Sequence, residues 1–359
     1  MNLPTNETEL TPEWLTQTLR QSGALERGRV TKARATRIAE GAGLMARLFR
    51  VELDYEGADS AAPRSLIAKI PMDAPQNRQV ADFYQMYQRE CDFYQHFAGR
   101  SPLRVAKTYG IARGQGSDFV LLLEDLGKHR LGDQVLGNRA EDAVKAIAAL
   151  AAHHGTFWGQ AQDLPQLLDY SRPDFSAALD HTYRASVQPT IDAFPEHFTP
   201  ALRELALAVT DRTNALLTAE LDKPRTMLHG DFRSDNLFYD LPDAPVAIID
   251  WQIVGRGYGP FDVAYHLTQS VTPEVRRAIE RPALEGYLRV LQEHGVKDLS
   301  FSDLWESYRF NALFALVYPV TICGSLDLSN PRGRALGEMV ITRSLSALAD
   351  LNAGEKLPR

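Results

Sequence analysis

The spacing of apolar residues changes along this chain, and each change marks a different element. Segment 11–25, TPEWLTQTLRQSGAL, reads as a helix: Thr11 suits the N-cap, Pro12 the first helical position and Gly23 the end. Segment 48–55, LFRVELDY, alternates and predicts a strand, with the GAG turn at 41–43 opening a hairpin before it. RSLIAKIP, 64–71, predicts a short apolar strand that carries Lys69 near its end. The period returns to helical over 79–97, where Phe83, Tyr87 and Phe93 or Tyr94 can share a face with Glu90 at its edge. KTYGIAR and DFVLLLEDL read as two more strands.

Beyond Gly127 the pattern is almost wholly helical. Helices are predicted over 139–160, about 175–188, 200–221, 260–271, 274–295, 301–320 and 332–351, interrupted by one apolar strand, PVAIIDW, that ends at Asp250. The expected organisation is a β-rich N-terminal domain, 1–126, with one key helix, and a helical domain, 127–359, with a hinge near 125–133.

Composition narrows the classes. The chain has 359 residues, 44% of them apolar, enough for a two-lobed molecule with a well-buried core. Its net charge of −7 argues against nucleic acid or an anionic membrane as partner. The two cysteines, Cys91 and Cys323, lie far apart and form no C-x-x-C pair, so neither a disulfide framework nor a zinc site is expected, and a reducing cytoplasm suits the chain. The N-terminal stretch has no signal-peptide pattern, and no apolar run has membrane-spanning length. No heptad or obvious sheet edge demands a dimer, so a monomer is the expectation.

Chemistry concentrates in TMLHGDFRSDNLFYD, 226–240. His229, Asp231 and Asn236 follow H-x-D-x-x-x-x-N, a pattern tied to phosphoryl transfer. One carboxylate, Asp231, can orient a substrate hydroxyl and accept its proton. One side-chain carbonyl, on Asn236, can hold Mg2+ against phosphates. Asp250, at the end of its strand, offers a second hard oxygen ligand. Lys69 can neutralise nucleotide phosphates if Glu90 holds it in place.

That order of a glycine turn, strand lysine, helix glutamate, H-G-D-x-x-x-x-N and I-D-W resembles the aminoglycoside phosphotransferase and choline kinase-like superfamily, and most of all its ecdysteroid kinase-like branch. The resemblance covers roughly 35–350 and is most specific from HGD to IDW. It implies an α+β, two-lobed protein kinase-like fold. It implies Asp231 as catalytic base or as the residue that positions the hydroxyl, with Arg233 reaching the transferred phosphate, or else a surface residue or a partner of Asp235. It implies Asn236 and Asp250 as Mg2+ ligands, and Lys69 braced by Glu90 on the phosphates of ATP or GTP. The turn with Gly41 and Gly43 would cover the phosphates, although it lacks the full G-x-G-x-x-G pattern. The LLLEDLG segment, through Glu124 and Leu126, would read the nucleobase, and Asp262 would buttress the catalytic loop. Trp251 in place of Phe-Gly, and no A-P-E motif after it, argue against a protein substrate.

The histidines read as scaffold. His229 is expected to bond to backbone, and His153, His154 and His266 to pack. Segment 305–322, WESYRFNALFALVYPVTI, is apolar on more than one face: a core helix kinked near Pro319, or in part the wall of an acceptor pocket. An aminoglycoside pocket should be strongly acidic, and this segment is aromatic and aliphatic. The expected acceptor is therefore a small molecule with a large apolar body and a hydroxyl: a steroid, terpenoid, aromatic alcohol or hydroxyacyl thioester. An aminoglycoside-type phosphotransferase and a catalytically silent nucleotide-binding protein are the competing readings.

Overall fold

In the computed structural model, which describes residues 2–39, 45–325 and 330–358, the alternating stretch forms the strand Ala46–Glu56. Phe49, Val51 and Leu53 are buried while Glu52 faces water, the period of two that a half-buried strand requires. It pairs antiparallel with Arg29–Ile38 on one side and Ser65–Pro71 on the other. Phe119–Glu124 and Thr108–Arg113 complete a five-stranded antiparallel sheet. On Ser65–Pro71, Leu66, Ala68 and Ile70 join a core with Leu15 and Leu19 of the N-terminal helix Pro12–Gln21. Lys69 sits at the alternate position, opposite Leu48 and Leu121, and so leaves the sheet on the other face.

The single helix expected over 79–97 is three pieces: Pro75–Phe83, Met86–Asp92 and a π-helical turn, Phe93–Phe97. Gln85 between the first two adopts φ 52°, a left-handed conformation that ends one helix and re-aims the next. Tyr87, Phe93 and Tyr94 are buried, but Phe83, on the far side of the break, is exposed.

Two units emerge from the packing. The first comprises residues through Arg100, Arg104–Arg130 and the late segment Ala247–Ile253. The late segment joins it by parallel pairing of Ala247 with Arg104 and Ile248 with Val105. The strand expected to run to Asp250 is only Ala247–Ile248, so Asp250 lies just beyond it.

The second unit comprises Ser101–Leu103, Leu131–Val246 and Val254–Arg359, and is mostly helical. Ala140–Phe157 packs on Pro273–Glu293, and Phe301–Ala315 packs on Pro260–Gln269. Thr199 and Thr272 cap helices that open on proline, each accepting from a backbone N–H three residues on. The 200–221 stretch is Pro200–Val209 and Thr213–Thr218 rather than one helix. The helix expected over 301–320 divides into Phe301–Ala315 and Val317–Ser325. The break falls at Leu316, upstream of Pro319, because the proline ring has no N–H and excludes the carbonyl four residues before it. Among the described residues no helix is long and apolar enough to cross a membrane.

Candidate active site

In the first unit the structure gathers Lys69, Glu90 and Asp250. The Lys69 ammonium lies 2.7 Å from Glu90 Oε2 and 2.9 Å from Asp250 Oδ1. The Lys69 and Glu90 side chains are 8% and 1% exposed, whereas that of Asp250 is 34% exposed. Burial alone would strip Lys69 of its proton, but the carboxylates of Asp250 and Glu90 outweigh that and raise its pKa. Burial pushes the Glu90 carboxyl well above the usual range, with Lys69 opposing the shift and Asp250 adding to it. Asp250 itself has φ 66°, a left-handed conformation that costs a non-glycine residue of order 1 kcal/mol or more and concentrates at functional sites. Trp251 secures the next position by stacking on Phe93, ring centroids 3.6 Å apart. Phe93 follows Glu90 by one helical turn, so the stretch that carries Glu90 also docks the segment that carries Asp250.

In the second unit the 226–240 stretch folds as the strand Thr226–Leu228, a loop, a short turn Ser234–Asn236 and the strand Leu237–Tyr239. Gly230 takes φ 85°, open to glycine at little cost. The buried carboxylate of Asp262 accepts from the backbone N–H groups of His229, at 2.7 Å, and Gly230, at 3.0 Å. His229 Nδ1 accepts from the Asp231 N–H at 3.2 Å, so this nitrogen carries no proton. Burial lowers the His266 pKa to about 4; neutral at ordinary pH, its ring meets the Phe232 carbonyl at 3.1 Å through Nδ1. Ser234 N–H donates to Gln134 Oε1 at 3.0 Å.

That scaffold presents Asp231 with three donors. Tyr265 Oη donates to Oδ1 at 2.9 Å, Asn236 Nδ2 to Oδ2 at 3.0 Å, and Arg233 Nε to Oδ2 at 3.1 Å. Arg233 also reaches Asp235 at 3.1 Å, and the Asp231 carboxylate beside it raises its pKa further. Asn236 Nδ2 makes a second bond, to the Asp231 backbone carbonyl at 2.9 Å, which turns the amide oxygen the other way.

Tyr265 was not singled out from the sequence. Its signal was present: it follows Asp262 by three residues on Pro260–Gln269, so both project from one helix face toward one loop. Glu124 ends its strand with its side chain committed to Arg104, at 2.8 Å, and to the Lys107 N–H, at 3.1 Å. Leu126 is buried and its carbonyl accepts from the His129 N–H. Asp125 holds Arg50, Ser65 and the Gly127 N–H. Gly41 and Gly43 lie outside the described residues. His153 and His154 are buried, with burial holding His153 far below its ordinary pKa.

The second unit also contains a cavity of about 60 Å³ opening to solvent. Phe310, Asn311, Phe314 and Tyr318, all from the 305–322 segment, form one wall, joined by Tyr258 and Phe261. Arg225 and Arg256 line it too, both turned on Asp169, at 3.6 and 2.7 Å. Glu220 lies across from Asn311, whose Nδ2 donates to Glu220 Oε2 at 2.7 Å. The wall is continuous with the Asp231 loop, since Tyr265 packs on Tyr318 and Phe261 with ring centroids 5.2 and 6.0 Å apart.

The geometry has counterparts among known proteins. A model of the ecdysteroid kinase-like family matches residues 40–301. An uncharacterised kinase-like protein of Caenorhabditis elegans is 25% identical over 264 residues, which cover 69% of this chain and 69% of that one. Among solved structures, a Ralstonia eutropha protein provisionally described as an aminoglycoside phosphotransferase superposes with a TM-score of 0.56 at 15% identity, covering 98% of this chain and 99% of that one. Choline kinase from Cryptosporidium parvum gives a TM-score of 0.54 at 11% identity, covering 90% of this chain and 89% of its own. At such identities these structures speak for the fold, which is protein kinase-like, with a β-rich N-terminal part and a large helical C-terminal part.

Proposed function

The chain belongs to the ecdysteroid kinase-like family, and on that premise we propose that it transfers the γ-phosphate of ATP or GTP to a hydroxyl of a mostly apolar small molecule. One observation carries the reading. A lysine buried on a central strand keeps its charge between a helix glutamate and an aspartate placed just past a strand end. Isolated buried ammonium groups tend to lose their proton; this one is built to remain a cation, as a phosphate-binding group must.

The roles divide by chemistry. Lys69 neutralises the phosphate tail, and Glu90 fixes its position. Asp250 in the first unit and Asn236 in the second each offer a hard oxygen, the donor type that suits magnesium rather than a soft metal. When bound, Mg2+ supplies charge neutralisation on the phosphates. Asp231 orients the acceptor hydroxyl and takes its proton as the new oxygen–phosphorus bond forms and the bond to the departing nucleoside diphosphate breaks. Tyr265, Asn236 and Arg233 hold that carboxylate in one orientation, so the contribution is chiefly positional.

The lining of the cavity, which at about 60 Å³ holds only part of a ligand, suits an apolar portion of the acceptor. Its wall is mostly aromatic, and its charged groups, Arg225 and Arg256 beside Asp169 and Glu220, leave no acidic surplus of the kind that a polycationic aminoglycoside requires. The test is transfer from γ-labelled ATP into a metabolite extract, with the product identified by mass. A labelled apolar alcohol supports the reading; label found only on polycationic sugars, or on nothing while Mg–ATP binds, overturns it.

A further inference from the structure

Resting on that reading, we propose that Glu220 and Asn311 form the specificity-determining pair of the acceptor cavity, accepting a hydrogen bond from a second hydroxyl on the acceptor body. The reacting hydroxyl belongs to Asp231. A polar group on the acceptor that meets Glu220 must therefore be another one. The pair is a polar point in a wall otherwise dominated by Tyr258, Phe261, Phe310, Phe314 and Tyr318. In such a wall a ligand is gripped by area and oriented by its few polar contacts.

The chemistry of the pair selects its ligand. Asn311 spends Nδ2 on Glu220, at 2.7 Å, and on the Ser307 carbonyl, at 2.9 Å. What Asn311 has left to offer is its amide oxygen, and what Glu220 offers is a carboxyl. Both accept, so the matching group is a donor. On a wall that is mostly aromatic, and where Arg225 and Arg256 stand beside Asp169, a neutral O–H suits that acceptor better than a strongly hydrated cation. A site built to bond a hydroxyl discriminates strongly against the analogue lacking it, because the buried polar groups are then unpaired.

The pair is also sensitive to pH. Burial pushes the Glu220 carboxyl up to about 7, while hydrogen bonds from Asn311 and Ser307 and the charge of Lys223 oppose this and Asp222 adds to it. Asp169, Tyr170, Arg225, Arg256, Tyr258 and Tyr318 are the other titratable groups on the wall. Acceptance by Glu220 therefore strengthens as pH rises through neutrality.

Calorimetry tests this on the intact chain with matched pairs of aromatic and polycyclic alcohols, each with and without a second hydroxyl. The expected result is that the best diol binds about tenfold or more tighter than its partner at pH 8, with the ratio shrinking toward pH 6. Glu220→Leu should bring the ratio to within about twofold. Glu220→Gln, which preserves shape and the bond from Asn311, should keep part of the ratio and lose its pH dependence, and thermal melts establish that each variant is folded. An unchanged ratio in Glu220→Leu, or no binding of either series to the folded wild-type chain, overturns the proposal. Diols that bind with the expected ratio but take no label from ATP would instead sink the kinase reading alone.

Discussion

In the first unit the group that matters is a cation gripped by carboxylates; in the second it is a carboxylate gripped by donors. Lys69 meets Asp250 from 181 positions away, and both lysine and glutamate are almost wholly removed from water. Asp231 is held by Arg233 and Asn236 from its own loop, plus Tyr265 from 34 positions on, and keeps 23% of its side chain exposed. On the roles proposed for Lys69 and Asp231, the difference has a physical reason. A phosphate-binding cation gains strength from a dry setting, whereas a proton acceptor must stay open to its substrate. Hence the first cluster is strongly coupled to stability and pH, and the second to turnover.

Asp231→Asn is the sharpest way to break the comparison. It should lower kcat by roughly a thousandfold, within the range for loss of a positioned acid–base group, while the thermal shift produced by Mg–ATP is retained. Near-full turnover would remove Asp231 from the chemistry. Lys69→Met comes next. It should abolish the nucleotide-induced shift and destabilise the fold by about 3 kcal/mol near neutral pH, since the buried Glu90 carboxyl, with Asp250 beside it, loses its cation. The sign with pH is defined. The folded-state pKa of Glu90 is raised, so the folded chain holds a proton that the unfolded chain releases in the usual carboxylate range. Without Lys69 to oppose that shift, the deficit should be small in acid and grow as pH rises. A deficit that instead shrinks toward alkaline pH would mean that Glu90 is not the group left stranded.

The same contrast explains what could be read from sequence. The Asp231 cluster was largely legible because a short loop must carry its polar residues at fixed local offsets, as His229, Asp231 and Asn236 do. Lys69 and Glu90 were reachable through strand alternation and helical spacing. The break at Gln85 was not: nothing in QVADFYQMYQREC marks a left-handed glutamine, and the periodic pattern runs straight across it. The β-strand before Asp250 was overestimated because an apolar run shows burial, not hydrogen bonding. Glu220 and Asn311 were invisible for a different reason. They meet across 91 positions, each looking like an ordinary polar residue on its own helix or turn.

Tyr265→Phe sharpens the comparison from the other side. It keeps the ring against Tyr318 and Phe261 and removes one donor from Asp231. A hydrogen bond to a charged group contributes about 1.5–3 kcal/mol, so kcat should fall about tenfold or more, with acceptor KM nearly unchanged. If Tyr265 only fills space, kcat will not move. Equal losses in kcat and in the Mg–ATP shift would also count against a role confined to Asp231.

The smallest effect expected is on stability, at Glu220. Its folded pKa, about 7, stands above the ordinary carboxyl value of 4.5. Below both values the carboxyl is protonated whether folded or not, and its contribution is fully present. As pH rises, the unfolded chain releases the proton first, so stability is lost through the interval and levels off once the folded form ionises. Glu220→Gln cannot titrate and should escape that loss. The variant should match the wild type at pH 4 and melt higher at pH 8.5 by a few degrees, on the order of 1–2 kcal/mol after allowance for the partial exposure of the side chain. Parallel melting curves at both pH values would show that Glu220 is solvated like any surface acid. The cavity proposed for the acceptor would then lack the titrating anchor that sets it apart from the ion clamp around Lys69.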